Sequence, residues 1–503
     1  MIRRQVKGEM TVFLSLTLML IAALLFTLVE GARFKCLHSM ADMDRVMEAE
    51  SAFAEYDVAL LKEYGLLFLD DSYGTGTENT KRIAERMMSL SEANLNPDLT
   101  FGSDLLRMRM VDCNVDHYEL ATDYGGEAFR KQAVEYVKEN LGSIAIDAFA
   151  RRIKEGESGT TDSDTAGFNP SEKVSSGKQA VSDARAAAKA AKEAGEELPD
   201  CGIEPATDFE DPLELFDMLS GTSPLVLVMP QGKEVSVKQA DLTESLLRRT
   251  RYTGNYPVQI GANYADTLFY MMYLNRQFGC CTKVKPERKL DYELEYILCG
   301  HDSDRRNLES VVGRILLIRE MTNYLYLQTD VEKKALADSI AVAIAGATLS
   351  PELIPIIRQA ILVAWSLVES LMEIRTLLSG GRVAVVKTAA DWKTDVRHAA
   401  TSFRKGEGTD SKSKGFSYSD YLFQFLMLEN RTTLNMRTMD MMEQNIRMKQ
   451  GSNAFRMDCM IQKMDVSYLY EARPLFLSFV TIGDIDRGNY RFDQEYKISY
   501  LLN

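Results

Sequence analysis

Twenty consecutive residues without a charge, MTVFLSLTLMLIAALLFTLV from Met10 to Val29, constrain this chain more than any other feature. At ~1.5 Å rise per residue a helix over them is about 30 Å long, the thickness of a bilayer's hydrocarbon core. The polar side chains in the run are the hydroxyls of Thr11, Ser15, Thr17 and Thr27, and each can bond back to a carbonyl of its own helix. Arg3, Arg4 and Lys7 precede the run, whereas Asp42, Asp44, Glu48 and Glu50 follow Arg33 and Lys35. The positive-inside rule then predicts a cytoplasmic N-terminus over 1–9, a transmembrane helix over 10–29 and an extracytoplasmic remainder: a single-pass protein of the cell membrane. A cleaved signal peptide is the competing reading. Its apolar region is typically about 7–15 residues, and Glu30 sits inside the best cleavage candidate, Val29-Glu30-Gly31.

The rest of the chain has the composition of a folded protein. With 46% hydrophobic and 26% charged residues in a total of 503, two or three cores are expected. The 73 acidic and 59 basic side chains give a formal charge of −14, which repels phosphate backbones, so nucleic acid is not an expected partner.

Helical patterning continues beyond the apolar run. Residues 40–64 contain no Pro or Gly, which predicts one long helix stopping at Gly65. Residues 66–69 read as a short strand closed by the turn DDSYGTG, 80–93 as a helix, 105–111 as an alternating strand and 127–154 as a helix. Residues 155–178 are rich in Gly, Ser, Thr and Asp and read as a flexible linker, with an exposed Ala-rich helix following over 179–194. A second low-complexity stretch covers 404–415. Apolar residues at three- and four-residue spacing predict helices over 264–276, 307–327, 331–348 and 353–378. In the last of these Arg358, Glu369, Glu373 and Arg375 leave too short an uncharged run to span a bilayer, so it reads as a buried core helix. Period-two alternation at 290–298, 464–470 and 490–500 predicts strands of an antiparallel sheet with one wet face. The expected fold class is therefore α+β. A first module over 30–154 is completed by C-terminal strands in 456–503, with a linker over 155–205 and a mainly helical domain over 206–455.

The segment GEMTVFLSLTLMLIAALLFTLVEGARF, residues 8–34, resembles the N-terminal helix of TadE/TadG-like pseudopilins. In those proteins a short basic leader ends in Gly, an apolar helix follows, and its outer end carries an acidic residue and then Arg, as Glu30 and Arg33 do here. The resemblance implies prepilin-type processing between Gly8 and Glu9, a membrane-helix boundary at Glu30 and Arg33, and a pilin-like exported module. Prepilins carry Glu five positions after the leader Gly, where this chain has Phe13. EAFRKQAVEYVKENL (127–141), LDYELEYILCGHDSDRRNLESVVGRILLIRE (290–320) and the stretches around Trp365 and Trp392 resemble a TadE/TadG-related family of unknown function from Gram-positive bacteria. That resemblance implies membership but no chemistry.

Patterns that carry catalysis do not occur. There is no phosphate-binding loop of the Walker type, no HExxH pair and no GxSxG elbow, and GTGTE at 74–78 reads as a tight turn. The four histidines are His38, His117, His301 and His398. Cys280, Cys281, Cys299 and His301 offer thiolate and imidazole, but their spacing departs from the CxxC pattern of zinc sites, so no metal is expected. Asp302, Ser303 or Asp304 is expected to cap the helix that begins near Asn307. Seven cysteines outside the membrane leave at least one unpaired, with Cys36 a candidate; Cys113 and Cys459 fall in expected strands and could form a disulfide, or all could be small buried side chains. The methionines of 436–450 read as core packing.

No catalytic residue, cofactor or metal emerges. The sequence thus predicts a non-enzymatic, membrane-anchored envelope protein, a pseudopilin-like accessory of Tad-type pilus assembly or a related secretion system. Its expected partners are the lipid bilayer and other pseudopilin-like or pilus and secretion proteins. An anchored ligand-binding or sensor module and an exported hydrolase are the alternatives.

Overall fold

A computed structural model describes residues 5–95, 104–140, 151, 168–194, 202–230, 232–257, 264–345, 352–405, 415–476, 485–486 and 489–501. In chain order the elements begin α1 (Gln5–Phe53), α2 (Val58–Tyr64), β1 (Leu69–Asp70), α3 (Thr80–Leu95), β2 (Met108–Leu120), α4 (Asp123–Asn140), α5 (Pro170–Ala194), α6 (Pro212–Ser220) and α7 (Pro224–Val228). They continue with α8 (Tyr264–Gln277), α9 (Glu293–Cys299), α10 (Asp304–Thr329), α11 (Val331–Ala345), α12 (Ile354–Leu378), β3 (Arg382–Val383), α13 (Ala399–Lys405), β4 (Phe416–Ser417), α14 (Tyr418–Leu428), α15 (Arg431–Gln450), β5 (Met460–Ala472), β6 (Ile485–Asp486) and β7 (Asn489–Ser499). They form two compact units. The first takes Met1–Tyr136, Arg249–Ala262 and Ile446–Asn503; the second takes Val137–Arg248 and Asn263–Asn445.

In the first unit β5 is the central strand of an antiparallel sheet. It pairs with β2 from Met108↔Ala472 to Leu120↔Ile461 and with β7 from Lys463↔Ser499 to Ala472↔Tyr490, while β1 pairs with its first two residues. Met464, Val466, Tyr468 and Tyr470 of β5 and Tyr490 and Phe492 of β7 are buried in one cluster with Leu37, Ala41 and Ala49 of α1 and Ile83 and Met87 of α3. Residues two apart along a strand share a face, which is why the tyrosines recur in steps of two. Three register shifts in β2, at Met110/Asp112, Val115/His117 and Glu119/Leu120, break its alternation and hide a strand that runs to Leu120 rather than 111.

The helix expected over 40–64 is two helices. α1 stops at Phe53, and the Asp57 carboxylate caps α2 by accepting from Leu60 N at 2.7 Å, with Asp57 N donating to Phe68 O at 2.8 Å. Gly65 then ends α2 in the left-handed conformation, φ 71°; a Cβ there would come within 2.1 Å of the Tyr136 ring. Of the strand expected at 66–69, Leu69 alone enters the sheet; Leu66 and Phe68 are buried without pairing there.

The second unit is helical and centred on α12. Its apolar window is 78% buried within the protein, as a core helix requires. α5 corrects two expectations: it begins at Pro170, inside the stretch read as linker, and it is packed rather than exposed. Val174, Gly177, Ala180, Val181 and Ala184 are buried, and a Cβ on Gly177 would lie 2.2 Å from Ala360 Cβ on α12. Small residues let two helix backbones approach closely, so a face without large side chains is here the contact face. The strand expected at 290–298 is also corrected, because Glu293–Cys299 is α9. Every residue from Glu293 to Leu298 is buried, both glutamates included, so the period-two pattern never separated a wet face from a dry one. Met436, Met439, Met441 and Met442 of α15 are buried in the core.

Candidate functional site

Four residues beyond Phe26, where the apolar run of α1 has just ended, Glu30 and Arg33 lie three positions apart on one face of the helix and are buried to 2% and 6% exposure. Arg33 Nη1 donates to Glu30 Oε1 at 2.9 Å. Three further guanidinium hydrogens go to backbone carbonyls: Nε to Leu105 O at 2.5 Å, and Nη2 to Leu106 O and, at 2.6 Å, to Arg473 O. Glu30 accepts from Leu475 N and Phe476 N, each at 3.2 Å, and from the Tyr490 hydroxyl at 3.0 Å. A buried ion pair is tolerable when further hydrogen bonds satisfy both partners, and here six groups from three chain segments do so. The pair joins α1 to the loop before β2, the loop after β5 and the start of β7. Phe26 stacks on Phe476 at 4.6 Å and Phe34 meets Tyr490 edge-on at 5.2 Å, lining the same junction. The sequence singled out Glu30 and Arg33 as a helix boundary; what they bind across 440 residues of chain left no local signal. Gly8 and Glu9 fall within the span of α1, and their side chains lie outside the described residues.

Farther along α1, Asp44 and Glu48 are one turn apart and buried. Asp44 accepts from Ser91 Oγ at 2.6 Å and from the Tyr470 hydroxyl at 2.9 Å, and Glu48 accepts from Asn94 Nδ2 at 2.6 Å. Burial, and then the neighbouring Asp44 carboxylate, push the Glu48 carboxyl up to about 7. Both residues entered the sequence reading only as charges flanking the apolar helix.

Cys113 and Cys459 do not pair. Cys113 sits opposite Tyr468 in the β2/β5 ladder, nine residues along from Cys459, which at ~3.4 Å per residue is about 30 Å and far beyond disulfide reach. Both thiols are buried and free, as are Cys280 and Cys281, whereas Cys36 is free and exposed. Cys201 lies outside the described residues.

In the second unit the acidic residues of 290–304 hold backbone. Glu293 accepts from Gly279 N at 2.8 Å and from Asn445 Nδ2 at 2.6 Å; Glu295 accepts from Cys281 N and the Tyr418 hydroxyl, both at 2.8 Å. Asp304 accepts from Asp291 N, Tyr292 N and Ser236 Oγ instead of capping its own helix, and Ser303, at the N-cap, makes no side-chain cap bond. Burial pushes the Cys281 thiol up to about 12 and Cys299 up to about 11, so neither supplies a thiolate near neutral pH. His301 Nε2 lies 2.9 Å from Ser310 Oγ. Among the described residues no group of three or more His, Cys, Asp or Glu is placed to hold a metal ion.

A buried ionic cluster also links α10 and α12. Arg319 binds Glu373 through two bonds, 2.8 and 2.9 Å, and donates to Ala384 O at 3.0 Å; Lys387 binds Glu369 at 2.6 Å and also Glu373; Asn323 donates to Glu373 at 2.9 Å. Although burial opposes it, the two cations hold Glu373 well below the usual carboxylate range. Two cations and two carboxylates balance, so the cluster is a neutral core element. The sequence had used Glu369 and Glu373 only to argue against a membrane span. Separately, Ser245, Arg248, Tyr296, Gly300, Arg437 and Asp440 help line a cavity of about 160 Å³.

These features define a class: an α+β protein whose N-terminal helix is long and apolar enough to span a membrane and is locked to a sheet by a buried ion pair. Residues 204–472 match the model of a family of unknown function, DUF5702, and the chain belongs to that family. No curated protein and no solved structure matches it.

Proposed function

We propose that the protein is a non-enzymatic, single-pass envelope protein, anchored by residues 10–29 with its folded units outside the cell, acting as a pseudopilin-like accessory of Tad-type pilus assembly or a related secretion system. The observation that carries the anchor reading is the Glu30–Arg33 pair. Cleavage at the signal-peptidase candidate around Gly31 would remove Glu30, the acceptor for Leu475 N, Phe476 N and the Tyr490 hydroxyl, and leave Arg33 buried without its counter-ion. A signal peptide is discarded, whereas Glu30, at the end of this apolar run, is hydrogen-bonded to the sheet and the loop that leaves it. The pseudopilin part is supported by the TadE/TadG-like pattern of residues 8–34 and by a long helix whose second half packs on an antiparallel sheet. Phe13 in place of the usual Glu removes the charge that sets register in filaments, which favours an accessory over a filament subunit.

N-terminal sequencing of the mature protein tests the anchor. A start at Met1 or Ile2 is expected for a plain anchor and a start at Glu9 for prepilin processing; a start near Arg33 refutes both. Deleting the gene tests the accessory role, and unchanged surface filaments together with unchanged secretion refute it.

A further inference from the structure

Phe476 lies on the loop that leaves β5, yet its ring stacks on Phe26, a residue inside the uncharged run of α1. Phe26 is four residues before Glu30, so the contact lies about 6 Å along the helix axis into the apolar stretch. Arg33, seven residues or about 10 Å farther along the helix axis than Phe26, fixes a second loop by taking the carbonyls of Leu105 and Leu106 together with that of Arg473. Leu105 is 63% exposed and Phe476 36%, large apolar surfaces beside the end of the apolar helix. Arg107 and Arg473 are adjacent, Arg473 N donating to Arg107 O at 3.4 Å, and both are exposed, with side chains in no ion pair among the described residues. The nearby Asp104 carboxylate is occupied by Leu106 N and Arg107 N. The sequence continues from Leu475 as LFLSFVTI, eight residues without a charge.

We propose that these two loops form a second membrane contact, in which Leu105, Leu475 and Phe476 enter the acyl boundary of the leaflet on the folded side while Arg107 and Arg473 take the phosphates of anionic phospholipids. Apolar side chains at acyl depth with cations at headgroup depth is the arrangement of interfacial membrane binding, and here a spanning helix alongside sets the depth. The inference rests on the reading of 10–29 as a membrane span. Its consequence is that the first unit is held on the membrane surface in one orientation.

The test uses the full-length protein in vesicles of phosphatidylcholine and phosphatidylglycerol carrying bromine on the upper acyl chain, which quenches tryptophan on contact. Wild type, whose Trp365 and Trp392 belong to the second unit, sets the baseline; Leu20→Trp reports the span and Phe476→Trp the loop. Both variants are expected to lose about twofold more emission than wild type. Quenching of Leu20→Trp with Phe476→Trp at baseline overturns the loop contact and leaves the anchor standing, an outcome that includes burial of the loop against a second copy. Baseline quenching of both overturns the anchor and this inference together. The Phe476→Trp signal is also expected to rise with the fraction of phosphatidylglycerol, and to lose that rise when Arg107→Gln and Arg473→Gln are added. A signal indifferent to phosphatidylglycerol with both arginines present overturns the headgroup assignment.

Discussion

Replacing Glu30 by alanine should open the junction between α1 and the sheet without unfolding either unit. The variant leaves Arg33, 6% exposed, without its counter-ion and removes the acceptor of three donors: Leu475 N, Phe476 N and the Tyr490 hydroxyl. Breaking a buried pair by deleting one partner costs about 3–5 kcal/mol. Each ~1.4 kcal/mol is tenfold in an equilibrium constant, so the local opening that exposes these amides should become roughly a hundred- to several-thousandfold more populated. Hydrogen exchange followed by mass spectrometry in detergent reads this directly in peptides covering residues 470–476. Their exchange should accelerate by that factor in E30A and by about tenfold in E30Q, whose amide oxygen still accepts but carries no charge. Peptides from α12 serve as an internal reference and should not change. If E30A exchanges within threefold of wild type at Leu475 and Phe476, the pair is not what holds the loop to the helix.

Three further outcomes follow from other parts of the molecule. Glu48 is raised from 4.5 to about 7 on folding, so the folded state favours its protonated form; its stabilising contribution is complete below pH 4.5 and lost as pH rises through about 7. E48Q should flatten that decline in chemical denaturation of the first unit across this window, and parallel pH curves for the two proteins would refute the assignment. R319M should destabilise the second unit by about 3–5 kcal/mol, whereas R319M/E373L, which leaves Lys387 with Glu369, should be less destabilised than R319M alone; additive losses in thermal unfolding would sink the idea of a balanced cluster. G177A should cost about 1–3 kcal/mol, because its Cβ would sit 2.2 Å from that of Ala360, and A360G should restore most of the loss; no recovery in the double variant would mean that the helices do not touch there.

The parts of this fold that were legible in the sequence are those where one physical rule acts alone. The apolar run of α1, the left-handed stop at Gly65, the burial of α12 and the alternation of β5 and β7 all follow from periodicity, conformational freedom or the absence of charge. The errors lie where tertiary contacts override the local pattern. Around α9 the glutamates looked like a wet strand face because nothing nearby in sequence reveals that Gly279 N and Cys281 N need acceptors. In α5 the missing apolar side chains looked like exposure, although close helix packing requires that they be missing. The junction at Glu30 and Arg33 was half legible: the residues stood out, but their partners at 105–106 and 473–490 could be joined to them only by the folded sheet.

The position of β5 in the sheet sets a timetable for synthesis. Its first residue, Met460, leaves the ribosome roughly 400 residues after α1 ends, on the order of 20–80 s later at typical elongation rates. Throughout that interval β2 has no neighbouring strand, Asp44 has no Tyr470, and Glu30 and Arg33 lack their partners at 473–490, while the second unit can be complete once Asn445 has emerged. The first part of the chain to be made is therefore among the last to become native. A truncation between residues 446 and 459 would leave every residue of the helical unit, an unpaired β2 and an α1 whose buried charges lack their partners at 470–490.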